Sequence, residues 1–195
     1  MPDPPIFRWI AVGVFLAAIA ISGTYRLRAE RGGSPLLERA PDRAAVAVLR
    51  VLGAALWILV LADPPWMRWS RLPLPDALRW VGAGLALALL PLFVWILRTL
   101  GRNITISFVT RREHSLVTTG PYRWVRHPLY GAGLVMHVAL ALLLASWLVA
   151  AVGLVILALL PWRIRREEDH LAARFGDAYR DYRRRSGSLF PKVRP

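Results

Sequence analysis

LYGAGLVMHVALALLLASWLVAAVGLVILALLP, residues 129–161, is apolar for 33 positions, and His137 is its one side chain able to carry a charge. A single helix of that length would be about 50 Å long, well beyond a hydrocarbon core of about 30 Å. Two helices of about 16 residues each fit instead, with a tight turn at Ala145-Ser146-Trp147. The choice sets the side of the membrane on which the tail lies. It also sets whether the residues before Leu129 meet those after Pro161.

Flanking charge decides between the two. Three earlier runs, 6–25, 44–62 and 77–97, are apolar and about as long as a bilayer is thick. The loops 26–43 and 98–128 hold five and six arginines, whereas loop 63–76 holds two and the N-terminal flank one. Cytoplasmic loops are the arginine-rich ones, so the first two loops lie inside and the other two segments outside. The tail from Trp162 holds ten basic residues and belongs inside as well, which only a hairpin allows. The expected architecture is an all-α, polytopic membrane bundle of five spans whose last two form a helical hairpin. The whole chain, 1–195, reads as one integral membrane domain, with three N-terminal spans over 1–97.

Composition agrees. The chain is 56% hydrophobic with nine Trp, above the 45–50% usual for soluble domains. Its net charge of +14 lies in arginines between and after apolar runs, which leaves no helix or sheet free for nucleic acid. Without Cys, disulfides, thiolate metal sites and a catalytic Cys are excluded, and four His on separate segments argue against a metal centre. Run 6–25 is long for a signal peptide and lacks a basic leader, so it reads as a span. Gly82 and Gly84 suit close helix packing, Pro91 a kink, and loop 63–76, with Trp66 and Trp69, a membrane interface. Residues 162–185 read as an amphipathic cytoplasmic helix, with Ile164, Leu171, Phe175, Tyr179 and Tyr182 on one stripe and Gly176 weakening it locally.

The hairpin brings chemistry together. In LVTTGPYRWVRHPLY, residues 116–130, Arg126 and His127 precede its first helix, and Glu167 and Glu168 follow its second. All four should emerge on the cytoplasmic face as a small-molecule site. Arg126 can grip a carboxylate bidentately, and His127 can exchange a proton near neutral pH. Glu167 or Glu168 can bind ribose hydroxyls or oppose a cation. Pro128 starts the helix where a missing N–H costs nothing. Gly131 and Gly133 let a ligand approach the backbone. Each residue also has a plainer reading, Arg126 as a positive-inside anchor and the glutamates as partners of a helix dipole; the combination is what points to a site. His114 and His170 are secondary candidates, and His137 reads as a hydrogen-bonded bundle residue.

The order of these residues resembles the isoprenylcysteine carboxyl methyltransferase and phospholipid methyltransferase superfamily. The matching elements are Leu116-Val117-Thr118-Thr119-Gly120-Pro121-Tyr122-Arg123, Arg126-His127-Pro128-Leu129-Tyr130-Gly131, Glu167-Glu168-x-x-Leu171, Phe175-Gly176-x-x-Tyr179-x-x-Tyr182 and Phe190-Pro191. Gly131-Ala132-Gly133 resembles the Gly-x-Gly element of the phosphatidylethanolamine enzymes. The resemblance covers about residues 98–191 and makes 98–195 the cofactor-binding, catalytic half. It implies a membrane methyltransferase using S-adenosylmethionine, with Tyr122, Arg126, His127, Pro128, Tyr130, Gly131, Gly133, Glu167 and Glu168 around the cofactor. Arg126, His127 and Glu168 are the residues it places nearest the chemistry. A lipophilic acceptor, isoprenoid or lipid, would enter sideways from the membrane.

Two other classes compete. An NADPH-dependent membrane reductase of the sterol type has a similar layout, with Arg183 to Arg185 available for a 2′-phosphate. A non-catalytic membrane scaffold needs none of the motif residues. Twenty-five Arg against one Lys suggests a GC-rich bacterial genome, and so a bacterial cytoplasmic membrane and a small acceptor rather than a prenylated protein.

Overall fold

The computed structural model describes residues 4–31, 43–101 and 115–192. Most of loop 26–43, much of loop 98–128 and the candidate His114 lie outside them. Among the described residues the elements are all helical, and the order is α1 (Pro5–Arg31), α2 (Arg43–Ala62), a 3-10 turn (Pro65–Ser70), α3 (Asp76–Leu100), a second 3-10 turn (Gly120–Arg123), α4 (Pro128–Leu143), α5 (Trp147–Phe175) and α6 (Asp177–Arg185). Three helices, at Pro5–Ala29, Asp76–Leu100 and Trp147–Phe175, are long and apolar enough to cross a membrane. Val51–Ala62 and Pro128–Leu143 are apolar but shorter.

The core forms where small side chains let α1, α3 and α4 approach. Phe7, Ala11 and Val14 of α1 meet Ala83, Ala86, Leu89 and Ile96 of α3 and Ala132, Met136 and Ala139 of α4. A side chain on Gly82 would place its Cβ 2.6 Å from the Ala139 carbonyl oxygen, so the close packing expected there is real. Gly84 has open space around it and plays no such part. The outward faces stay greasy: Leu16, Ile58, Leu154 and Leu159 are all exposed, as lipid contact requires and water does not favour. Pro91 sits inside an unbroken α3. His137 Nδ1 lies 2.9 Å from the Gly133 carbonyl oxygen one turn earlier, the hydrogen-bonded bundle residue expected.

The hairpin is present. Leu143 ends α4, Ala145 takes a left-handed φ of 47°, and Ser146 caps α5 by accepting from the Val149 N–H. Its tip is tied to the 63–76 loop, for Leu72 N donates to the Ala145 carbonyl at 2.6 Å and Trp147 Nε1 to the Trp69 carbonyl at 3.1 Å.

One expectation needs correcting. Residues 162–185 are not a separate amphipathic helix. Helix α5 runs through Pro161 to Phe175 without a break, and α6 begins after Gly176. The change from apolar to charged at Trp162 marks where α5 leaves the hydrocarbon, not where it ends. The end is Gly176, whose φ of 53° is left-handed and whose N–H closes the helix on the Ala172 carbonyl at 2.9 Å; glycine adopts this conformation without the Cβ penalty. Tyr179 and Tyr182 of the expected stripe are buried.

Candidate functional site

The hairpin places the start of α4 beside the polar extension of α5. Arg126 Nε donates to Glu168 Oε1 at 2.7 Å, and His127 Nε2 lies 3.2 Å from the same oxygen. Both side chains are largely withdrawn from water, as is Glu168. An ionised carboxylate only accepts hydrogen bonds, so the imidazole nitrogen facing it carries the proton. Burial alone would raise the Glu168 pKa; the hydrogen bonds from His127 and Arg126 and the arginine charge overcome it and bring it down to about 2. Glu168 is therefore a fixed anion at any physiological pH.

The remaining Arg126 bonds go to the chain. Nη1 donates to the Ser186 carbonyl at 2.6 Å and to the Arg183 carbonyl at 3.2 Å. The guanidinium clasps α4, α5 and the segment after α6 through Nε and Nη1, and Arg126 also lines the cavity described below. Backbone bonds complete the clasp: Gly187 N donates to the Trp124 carbonyl at 2.9 Å, Arg126 N to Gly187 at 2.9 Å and His127 N to Ser188 at 3.0 Å. Residues 186–191 thus form a strap across the entrance to α4.

Glu167 faces a second set. The Tyr130 hydroxyl donates to Glu167 Oε2 at 2.8 Å and accepts from Arg163 Nε at 2.8 Å. The Tyr130 ring stacks on His127, with centroids 5.6 Å apart and planes inclined by 12°. Pro128 is the first residue of α4. Gly131 has its bare side toward the strap, since a Cβ there would lie 2.8 Å from the Leu189 carbonyl oxygen. Gly133 looks onto open space. His170, the secondary candidate within the described residues, is exposed and bonds the Arg166 carbonyl.

A cavity of about 140 Å³ opens among Tyr122, Arg126, His127, Tyr130, Glu167 and Tyr179. Two of its tyrosines, Tyr179 and Tyr182, belong to a pattern that from sequence alone reads as an amphipathic stripe. Burial, with Glu167 nearby, raises the Tyr122 pKa; burial, with Glu168 nearby, raises that of Tyr179. Burial pushes Tyr182 to about 12, and its hydroxyl donates to the Tyr122 carbonyl at 2.6 Å. Tyr179 differs: its side chain is fully buried, yet its hydroxyl has no hydrogen-bond partner among the described residues. A buried hydroxyl without a partner costs stability unless a ligand or water meets it. Among the described residues no group of three or more His, Asp or Glu side chains gathers to hold a metal ion.

Residues 82–173 match the family model described as the isoprenylcysteine carboxyl methyltransferase (ICMT) family. They take in most of α3, Arg126 and His127, and the hairpin up to both glutamates. Just under half of the chain is thus similar to the ICMT family.

Curated relatives fall into two groups. The nickel-cobalt-cadmium resistance protein NccN of Alcaligenes xylosoxydans xylosoxydans is 38% identical over 96 residues, covering 49% of this chain and 45% of that protein. The protein-S-isoprenylcysteine O-methyltransferase of Dictyostelium discoideum is 31% identical over 138 residues, covering 66% of this chain and 56% of that protein. The chain thus spans about half the length of the curated relatives it matches. A solved eukaryotic intramembrane Ras methyltransferase, also an ICMT, superposes with a TM-score of 0.58 over 99% of this chain and 70% of its own, at 19% identity. At that identity the likeness shows the fold, which is that of an integral membrane protein.

Proposed function

We propose that this protein is an ICMT-family methyltransferase that uses S-adenosylmethionine and methylates a lipophilic acceptor, an isoprenoid or a lipid. The observation that carries the reading is the buried Tyr179 hydroxyl, partnerless among the described residues, beside the Arg126–Glu168–His127 clasp, in an aromatic cavity at the mouth of the hairpin. The reading includes five membrane helices, with α2 and α4 completing the bundle, and a site on the cytoplasmic face of a bacterial inner membrane.

The donor set suits the cofactor. Tyrosine faces attract a cation such as a sulfonium, Glu167 can accept from ribose hydroxyls or oppose an ammonium, and Tyr179 has a hydroxyl to give. The cavity, at about 140 Å³, is smaller than the 300–1,000 Å³ of most ligand sites, so the strap or its neighbours must yield for a whole cofactor to enter. When bound, S-adenosylmethionine supplies an activated methyl group on a positively charged sulfur. The chain's work is then positioning. Arg126 and Glu168 hold the mouth of α4 against α5 and the strap. Tyr122, Tyr130 and Tyr179 exclude water. The low pKa of Glu168 makes it a poor base, and its contact with His127 Nε2 orients the imidazole at the mouth of α4. An acceptor that is already an anion, a carboxylate or thiolate, needs no base at all and suits this site best.

The test is transfer of isotopically labelled methyl from S-adenosylmethionine to an extract of host membranes by protein in lipid nanodiscs. Label in the lipid-soluble fraction supports the reading. No label in any fraction, with cofactor shown to bind, would refute lipid methylation.

A further inference from the structure

The opposite end of the bundle holds a larger cavity that the methyltransferase reading does not use. It measures about 650 Å³ and is lined by Arg8, Arg68, Arg71, Arg79 and Asp63, among others. Helix α4, of 16 residues and so about 24 Å long, separates it from the Arg126–Glu168 clasp. Five parts of the fold build it: the first turn of α1, the end of α2, the 3-10 turn at Pro65–Ser70, the first turn of α3 and the α4–α5 turn at Leu144 and Ser146.

The four guanidinium groups there are not equally partnered. Arg71 pairs with Asp63 and Arg79 has Asp76 3.8 Å away, whereas among the described residues Arg8 and Arg68 have no carboxylate beside them. Arg79 is 5% exposed, held by the Leu143 carbonyl at 3.2 Å and by the Phe7 ring at 4.0 Å. Arg8 Nε is buried with no hydrogen-bond partner, its guanidinium lying over Trp9. Withdrawing cations from water without a counter-charge costs stability, and arginine's fork matches phosphate oxygens.

Depth says what kind of phosphate. Trp9, Trp66, Trp69, Trp80 and Trp147 are all exposed around this end, and exposed tryptophans mark the headgroup level of a bilayer. We infer that this cavity is an anion site for a phosphate group, supplied by the headgroup of an anionic phospholipid or by free phosphate, with Arg8 and Arg68 as its principal donors.

Binding to the purified full chain in detergent tests this without reference to methyl transfer. Native mass spectrometry would compare phosphatidylglycerol, phosphatidylcholine and inorganic phosphate on the wild type, Arg8→Gln and Arg68→Gln. The expected result is preferential retention of phosphatidylglycerol, weakened about tenfold by Arg8→Gln, as for a lost charged hydrogen bond, and measurably by Arg68→Gln. Competition by inorganic phosphate at millimolar concentration would assign the site to free anion as well. Arg68 is exposed, so its variant folds even if the Arg8 variant does not. Equal retention of the two lipids with no effect of phosphate, or binding undiminished in Arg68→Gln and in any folded Arg8→Gln, would overturn the assignment.

Discussion

Arg126 and Glu168, 42 residues apart in sequence, meet at 2.7 Å. The contact exists because the hairpin of α4 and α5 returns the chain to the side it left. Two further features of the candidate site hang on this pair. His127 shares the same carboxylate oxygen, and the strap after α6 hangs from the same guanidinium.

Removing one partner should therefore cost more than a surface ion pair would. Glu168→Ala leaves the Arg126 cation buried and unpaired, and the expected loss of stability is about 3 kcal/mol or more. Glu168→Gln keeps an acceptor oxygen and should lose less. Thermal unfolding in nanodiscs, followed by circular dichroism, measures both; equal and negligible shifts would show that the pair does not hold the mouth together.

Tyr179→Phe separates a ligand contact from a structural one. The hydroxyl has no partner among the described residues, so its removal should leave stability unchanged or slightly higher. Affinity for S-adenosylhomocysteine should fall by about fivefold or more if the hydroxyl bonds the cofactor. A clear drop in melting temperature with unchanged affinity would give the hydroxyl a structural role instead.

The two glycines of Gly131-Ala132-Gly133 should behave differently. A Cβ at Gly131 would press on the Leu189 carbonyl, so Gly131→Ala should loosen the strap and expose the C-terminus to protease. Gly133 has room, and Gly133→Ala should leave the strap protected. Weaker cofactor binding by Gly133→Ala with the strap intact would point to the direct ligand approach that the Gly-x-Gly resemblance suggests.

Alkali should unlock the site. Tyr182 stands near 12 when folded, against about 10 in an unfolded chain. Between those values the folded state binds more protons than the unfolded one, so this stability is complete below about pH 10 and is lost as pH rises through 12. Tyr122 and Tyr179 shift in the same direction. Phenolate absorbance and helix content should change together; tyrosines that all ionise near pH 10 with the helices intact would contradict the burial described.

Much of this was legible in the sequence because a membrane makes length and charge decisive. The 33 apolar residues were too many for one span, and the arginine count of the tail chose the hairpin, which in turn put His127 beside Glu168. What escaped depended on contacts that no periodicity encodes. Residues 186–191 carry no pattern that announces a strap bonded to Trp124, Arg126 and His127, although Phe190-Pro191 was visible as a motif. Arg126 reads as a ligand anchor from sequence, and nothing there shows that its Nε and Nη1 also bond Glu168, Ser186 and Arg183. Helix α5 continues past Trp162 because polarity marks the edge of the bilayer while backbone bonding marks the end of a helix, here at Gly176. Gly84 matched Gly82 in composition but not in facing direction, and only Gly82 meets α4.

The central claim is that the mouth of the hairpin binds a sulfonium methyl donor. Calorimetric titration of S-adenosylhomocysteine and, separately, NADPH into purified protein and its Glu168→Gln variant tests it most directly. The account predicts that S-adenosylhomocysteine binds the wild type, that the variant loses that binding, and that NADPH binds neither. Binding of NADPH alone would contradict it and favour a reductase, as would S-adenosylhomocysteine binding that Glu168→Gln leaves untouched contradict the site.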